Sequence, residues 1–334
     1  MPGWNLKTIA GLSMLRESTR HFALIVLLLS ASVASNADEQ VDLKTHYSSV
    51  AAAINRKMRT YHYDPDELDT HEYLRIEGAI SALGKSATSD EQFTEGFREI
   101  WSGGPFSHVT INKAQQSADD LADYLDTLRI GGGASLRWHD NVAILTVNTM
   151  MGLDTIEEID AAYATIAERD ASGLIIDRRE NGGGAFAVLP LVSHLLAEPV
   201  DAGVFVSQPW NSAHDREPTK ADLESVEPWE GWSIKTFWAD VQTNPVTRIS
   251  FSPVQPVFDG PVYVLTSKHT ASAAELATDA LRVAARVTII GERTAGEMLS
   301  QTIFDIPGGF HLSLPIADYY SVAHGRIEGV GIRP

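Results

Sequence analysis

The apolar positions change period along the chain. Between residues 40 and 101 they recur at helical spacing, with Leu43, Tyr47, Val50, Ile54 and Met58 forming one stripe. A second helix is predicted over 68–83, carrying Leu68, Tyr73, Ile76, Ile80 and Leu83. A third starts at Ser89, where Ser89 and Gln92 have capping-box spacing ahead of Phe93, Phe97, Ile100 and Trp101. Three short amphipathic helices can bury their stripes against one another, so a small N-terminal helical bundle is predicted over 38–105.

From residue 138 the texture is different. Short continuous apolar runs at 142–147, 174–176, 203–207, 262–265 and 287–290 read as strands. Helical stretches at 155–169, 185–197 and 273–285 alternate with them. Residues 301–315 read as a hairpin turning at Pro307-Gly308-Gly309. The alternation predicts an α/β domain over 106–334, a mixed sheet flanked by helices on both faces. Residues 208–256 fit neither period. They hold Trp210, Trp229, Trp232 and Trp238 among prolines and acids. A loop of that length is unusual in a compact domain. Two readings stand: an excursion pinned to the body by its aromatics, or a lid or wall of a substrate cleft.

The first apolar run, residues 22–33 (FALIVLLLSASV), follows Lys7, Arg16 and Arg20 and precedes Ser35-Asn36-Ala37. A basic region, a short apolar run and small residues before a cut after Ala37 predict a signal peptide over 1–37. A membrane-spanning helix needs about 20 apolar residues, more than this run offers. The expected product is periplasmic or secreted, without stable membrane insertion once the leader is removed.

Composition narrows the chemistry. The net charge is −18, from 26 basic against 44 acidic side chains, which repels nucleic acid and anionic lipid, so no nucleic-acid partner is expected. With no cysteine, disulfides, thiol nucleophiles and thiolate metal sites are excluded. His108 has no histidine or carboxylate near it in sequence, and there is no HExxH. Gly182-Gly183-Gly184 follows a strand but lacks the GxGxxG spacing, and GxSxG is missing. Neither a metal nor a cofactor is predicted.

The segment Leu265-Thr266-Ser267-Lys268-His269-Thr270-Ala271-Ser272-Ala273-Ala274-Glu275 carries more. An apolar strand enters a polar loop, and a helix of small residues begins at Ser272. That places a hydroxyl beside the free N–H of Ala273 at a helix amino terminus, where developing negative charge is favoured. Such a serine is either a plain N-cap or a nucleophile, and the residues alone leave both open. A second backbone donor from Gly183 or Gly184 would complete an oxyanion hole with Ala273.

Taken together the motifs resemble those of the S41 serine peptidases, the family of carboxyl-terminal processing proteases, tricorn protease and the retinoid-binding repeats. Asp177-Arg178-Arg179-Glu180-Asn181-Gly182-Gly183-Gly184 is similar to the family's D-x-R-x-N-x-G-G after a strand. Thr266 to Glu275 is similar to its T-S-x-x-T-x-S-A-A-E nucleophile segment. Gly291-Glu292-Arg293-Thr294-Ala295-Gly296 is similar to G-x-x-T-x-G, and Glu328-Gly329-Val330-Gly331-Ile332-Arg333-Pro334 to the terminal E-G-x-G-V-x-P. The resemblance implies a crotonase-like peptidase core and a serine-type endopeptidase acting on unfolded or C-terminal segments of proteins. Arg178 stands where the family has an aliphatic residue, and an acid partner is expected for it.

Carboxyl-terminal processing members place a lysine base just after G-x-x-T-x-G, where this chain has Glu297. The tricorn-like branch uses serine, histidine, a second serine and glutamate. Matching those positions implies Ser107, His108, Ser272 and Glu328, with Glu328 orienting His108. A histidine with a pKa near 6.5 is suited to take a serine proton at neutral pH, provided a partner holds its other nitrogen. The interval from His108 to Leu174 is too short for an inserted PDZ domain. The same resemblance carries an alternative function, a non-catalytic carrier of hydrophobic ligands, as in the retinoid-binding repeats.

Overall fold

The computed structural model describes residues 43–334, so the expected signal peptide lies outside the described residues. Helices α1 (Leu43–Tyr61), α2 (His71–Ser86) and α3 (Asp90–Trp101) follow the predicted stripes. Tyr47, Val50, Ile54 and Met58 of α1, Tyr73, Ile76 and Ile80 of α2, and Phe93, Phe97 and Trp101 of α3 are all buried. Leu68 sits instead on a separate 3₁₀ turn, Asp66–Asp69, because Thr70 caps a fresh start by accepting from the N–H of Tyr73. The Ser89 hydroxyl accepts from the Gln92 N–H at 3.1 Å. Gln92 Oε1 returns to the N–H of Thr88 at 2.8 Å, so the reciprocal bond closes one residue early. A Cβ on Gly84 would lie 2.6 Å from Ala51 Cβ, and the bare glycine is what lets α1 and α2 approach so closely. The helices also share their core with the rest of the chain: Tyr61 packs on Phe304 and Phe93 on Phe310.

The remaining elements are β1 (Thr110–Lys113), α4 (Ala118–Thr127), β2 (Ala134–His139), β3 (Val142–Val147), α5 (Leu153–Glu168), β4 (Gly173–Asp177), α6 (Val188–Ser193) and β5 (Val200–Ser207). After two single helical turns come α7 (Ile234–Thr243), β6 (Val246–Phe251), β7 (Val262–Thr266), α8 (Ala273–Val283), β8 (Thr288–Gly291), β9 (Ser300–Ile306), β10 (Phe310–Ser321) and β11 (Gly325–Arg326).

These strands form two sheets, which overturns the expectation of one mixed sheet with a crotonase-like core. One has the order β2-β3-β4-β7-β8, parallel from β3 to β8 with β2 antiparallel at its edge. The other is antiparallel, β1-β10-β5-β6, with β9 and β11 also on β10. The misreading has a physical cause. β5 is buried on both faces along nearly its whole length, so it reads as the same kind of apolar run as β4. Such a run states that a strand is covered, not which strand it pairs with. Between residues 208 and 256, α7 and β6 give structure to a stretch with no visible period. The helix expected over 185–197 shortens to α6, with Pro190 in its first turn.

The two sheets are joined functionally through α8. This helix leaves the end of β7 in the parallel sheet and packs against β5 of the antiparallel sheet. Its residues from Ala274 to Leu281 are buried, including the charged Glu275 and Asp279.

Candidate active site

Ser272 stands at the mouth of α8 with φ 53° and ψ −125°, a backbone state that a non-glycine residue rarely holds. What holds it there is Glu275. The Glu275 carboxylate is fully buried and accepts from four donors: the N–H groups of Ser272 at 3.1 Å, Gly296 at 2.9 Å and Glu297 at 2.9 Å, and the Thr294 hydroxyl at 2.5 Å. Burial pushes its pKa up to about 7, against four donors that favour the charged form. The S-A-A-E and G-x-x-T-x-G segments are therefore stapled together at one carboxylate.

Gly183 crosses directly over the serine. A Cβ built on it would meet Ser272 Cβ at 2.7 Å and the Ala273 nitrogen at 3.1 Å, and its φ is +97°. The Gly183 N–H donates to Asn181 Oδ1 at 2.9 Å, which removes it from the expected oxyanion donors. Asn181 is buried and anchored by its Nδ2 to the Val147 carbonyl at 3.0 Å. Gly184 N–H and Ala273 N–H have no hydrogen-bond partner among the described residues. Both residues line the same cavity as Ser272.

Ser107 and His108 lie in the turn between α3 and β1, with His108 at φ 63°. Ser107 Oγ is 2.6 Å from His108 Nδ1. Glu328 does not hydrogen-bond the imidazole. Its Oε1 accepts from the Ser107 N–H at 3.2 Å, and its Oε2 from the N–H groups of Met298 at 2.5 Å and Leu299 at 3.2 Å. The expected carboxylate–histidine contact is thus replaced by a relay in which Glu328 fixes Ser107 and Ser107 meets the ring. Packed surroundings desolvate the imidazole and push its pKa down to about 4, leaving it neutral at pH 7. His108 and Ser272 line one cavity, and no hydrogen bond joins them.

Among the described residues Arg178 has no acid partner, contrary to expectation. Its guanidinium is completely buried, donating to the Ala274 carbonyl at 2.9 Å and Thr278 Oγ1 at 2.6 Å, both in α8. Burial pushes its pKa down to about 10. Glu297, at the lysine position of the processing proteases, is pushed up first by burial and then by the neighbouring Glu328.

Of the two readings of residues 208–256, the lining of the cavity agrees with the cleft wall for three of the four tryptophans. Trp229, Trp232 and Trp238 wall the cavity together with Phe186, Phe205 and Phe237. Trp210 belongs to a different cluster, stacked on His214.

Ser272, at a strand-to-helix junction, thus shares one cavity with His108 of the Ser-His pair. A putative peptidase from Parabacteroides merdae superposes with a TM-score of 0.58 at 18% identity, covering 86% of this chain and 88% of that one. That likeness is one of fold. Residues 141–334 match the peptidase family S41, and the chain belongs to that family. The carboxyl-terminal-processing protease of Picosynechococcus sp. is 35% identical over 111 residues, 31% of this chain and 27% of that protein. The chloroplastic C-terminal processing peptidase of Tetradesmus obliquus is 27% identical over 202 residues, 60% of this chain and 35% of that protein. The matched segment thus spans about a third of the length of these relatives.

Proposed function

We propose that the protein is a serine-type endopeptidase of the tricorn-like branch, without a PDZ domain, that cleaves unfolded or C-terminal segments of proteins. The observation that carries this is the relay from Glu328 through Ser107 to His108, set across one cavity from Ser272. Ser272 attacks the peptide carbonyl, and His108 takes its proton and returns it to the leaving amine. For Nε2 to act as that base, Nδ1 carries the proton and donates it to Ser107 Oγ. Glu328 acts one residue removed, fixing the backbone that presents Ser107. Substrate binding draws Ser272 Oγ and the imidazole into hydrogen-bond reach, as catalytic contacts in empty sites are often long. The tetrahedral oxyanion is held by the N–H groups of Ala273 and Gly184, which no other group uses.

The division into a helical segment, 38–105, and a peptidase domain, 106–334, puts His108 at the join and Ser272 in the larger part. Export to the periplasm or medium rests on the leader sequence. Among the described residues no helix is long and apolar enough to cross a membrane.

A second reading is favoured by the cavity, whose aromatic lining suits a carrier of hydrophobic ligands. Labelling with a small fluorophosphonate separates the two. Wild-type protein is expected to be labelled and to cleave unfolded protein. Ser272→Ala is expected to lose both, His108→Ala nearly so, and Glu297→Ala little. Wild-type protein that takes up no probe, cleaves nothing and binds an apolar ligand stoichiometrically is a carrier.

A further inference from the structure

The cavity beside Ser272 lies within a chain of net charge −18, yet among the described residues not one Asp, Glu, Lys or Arg lines it. Its few polar side chains are His108, Ser272, Ser300 and Gln301, and the first two belong to the proposed chemistry. The walls are rings held by rings. Phe186 packs on Trp229 at 5.5 Å and edge-on against Trp232 at 5.8 Å, while Trp229 meets Phe237 edge-on at 5.1 Å. Edge-to-face contacts of this kind fix aromatic side chains without a polar partner, so the space they enclose keeps its shape. Leu276 stands one helical turn beyond Ser272 on α8, and Ala185 and Phe186 directly follow Gly184. The apolar space therefore begins at the nucleophile and the two backbone donors themselves, with no polar collar in between.

That continuity decides what the cavity accepts. A carbonyl attacked by Ser272, with its oxygen on Ala273 and Gly184 N–H, has its α-carbon within one bond of the attacked atom. The side chain on that carbon is the part of a peptide closest to the cavity. A charged side chain there would surrender its hydration to a lining with no counter-charge, whereas a large apolar one gains contact over its whole surface. Resting on the endopeptidase reading, we infer that this cavity is the specificity pocket of the enzyme and selects a bulky aromatic or branched aliphatic residue on the acyl side of the cleaved bond. Selection by the protein's overall negative charge is then secondary, since the pocket at the bond is neutral.

The test uses the full chain and a set of quenched peptides identical except for the residue preceding the cleaved bond. Phenylalanine, tryptophan and leucine are expected to exceed alanine at least about tenfold in kcat/KM, because pocket discrimination of this kind reaches 10- to 200-fold, and to exceed aspartate and lysine further. Trp232 and Trp238 are half-buried, so Trp232→Ala and Trp238→Ala remove wall without emptying the core. Each is expected to lower the phenylalanine-to-alanine ratio at least about threefold. The ratio is insensitive to any loss of chemistry common to both peptides. A small fluorophosphonate without a side chain reports Ser272 separately. No labelling of wild type overturns the endopeptidase reading itself. Labelling with a flat profile, a preference for a charged residue, or ratios unchanged in both variants overturns the pocket assignment alone.

Discussion

Gly183 and Ser272 are in contact so close that no side chain fits between them: a Cβ on the glycine would sit 2.7 Å from that of the serine and 2.9 Å from the Ala271 carbonyl oxygen. The crossing lays the glycine backbone against the serine and leads straight to the Gly184 N–H. Gly183→Ala is therefore expected to displace Ser272 and to cost at least about 100-fold in fluorophosphonate labelling, comparable with loss of an oxyanion donor. Labelling within a few-fold of wild type would remove the crossing from the mechanism.

Ser107→Ala removes the only group hydrogen-bonded to His108 Nδ1 among the described residues. The ring then loses the partner that sets its tautomer. A fall of about 100-fold in kcat with KM little changed is expected, smaller than the roughly 10⁴-fold seen where a buried carboxylate is lost from a triad. Steady-state kinetics on one peptide checks this, and Ser107→Thr, which keeps the hydroxyl, is expected to recover much of the rate.

The pH profile should reach unusually far into acid. His108, held down to about 4, stays neutral well below the usual histidine range, so the acid limb of kcat/KM is expected near 4 rather than 6.5. Stability follows the same sign. His108 and the buried His62, also about 4, bind fewer protons folded than unfolded between pH 6.5 and 4, so the stability they contribute is lost as pH falls through that window. Glu275, raised to about 7, runs the other way and loses its contribution as pH rises from about 4.5 through 7. Urea midpoints of wild type and His62→Gln at pH 7.5 and 4.5 measure the histidine share; an equal drop in both removes His62 from it.

Arg178 makes a contrasting case. Both of its partners are neutral, and Thr278 Oγ1 also donates to the Ala274 carbonyl at 2.7 Å, so each keeps a partner when the guanidinium is gone. Burying an unpaired charge is costly, and replacing it by an apolar group of similar volume is commonly neutral or stabilising. Arg178→Met is expected to leave the urea midpoint unchanged or raised. A loss of more than about 2 kcal/mol would mean that the charge itself stabilises α8.

Much of this was readable from the chain, and the limits have physical causes. β3 and β7 were evident as short apolar runs, and α8 from the small residues after Ser272. The hairpin of β9 and β10 was legible from its turn, but the sheet to which β5 belongs was not, because a strand covered on both faces carries no mark of its partners. The tetrad positions came from motif order, but the path from Glu328 to His108 did not. It depends on a turn with His108 at positive φ, which no sequence spacing reports. The role of Glu275 was latent in the S-x-x-E spacing, a capping-box signature, although its reach to Thr294, Gly296 and Glu297 is tertiary. The tryptophans of 208–256 could be read as a cleft wall, but Phe186, Phe205 and Phe237 could not, because they come from separate elements brought together only by folding.

The Glu275 staple has an evolutionary consequence. The carboxylate that ties two of the most recognisable sequence signatures together is spent on architecture, holding a loop to a helix, and the pair proposed to handle the proton sits on a separate turn 160-odd residues earlier. Drift at Ser107 or His108 could silence hydrolysis while every signature around Ser272 stayed intact and the fold stayed whole. Descent from such an ancestor toward ligand carriage would then need only a few substitutions, all outside the segments by which kinship is recognised, with the aromatic chamber already in place.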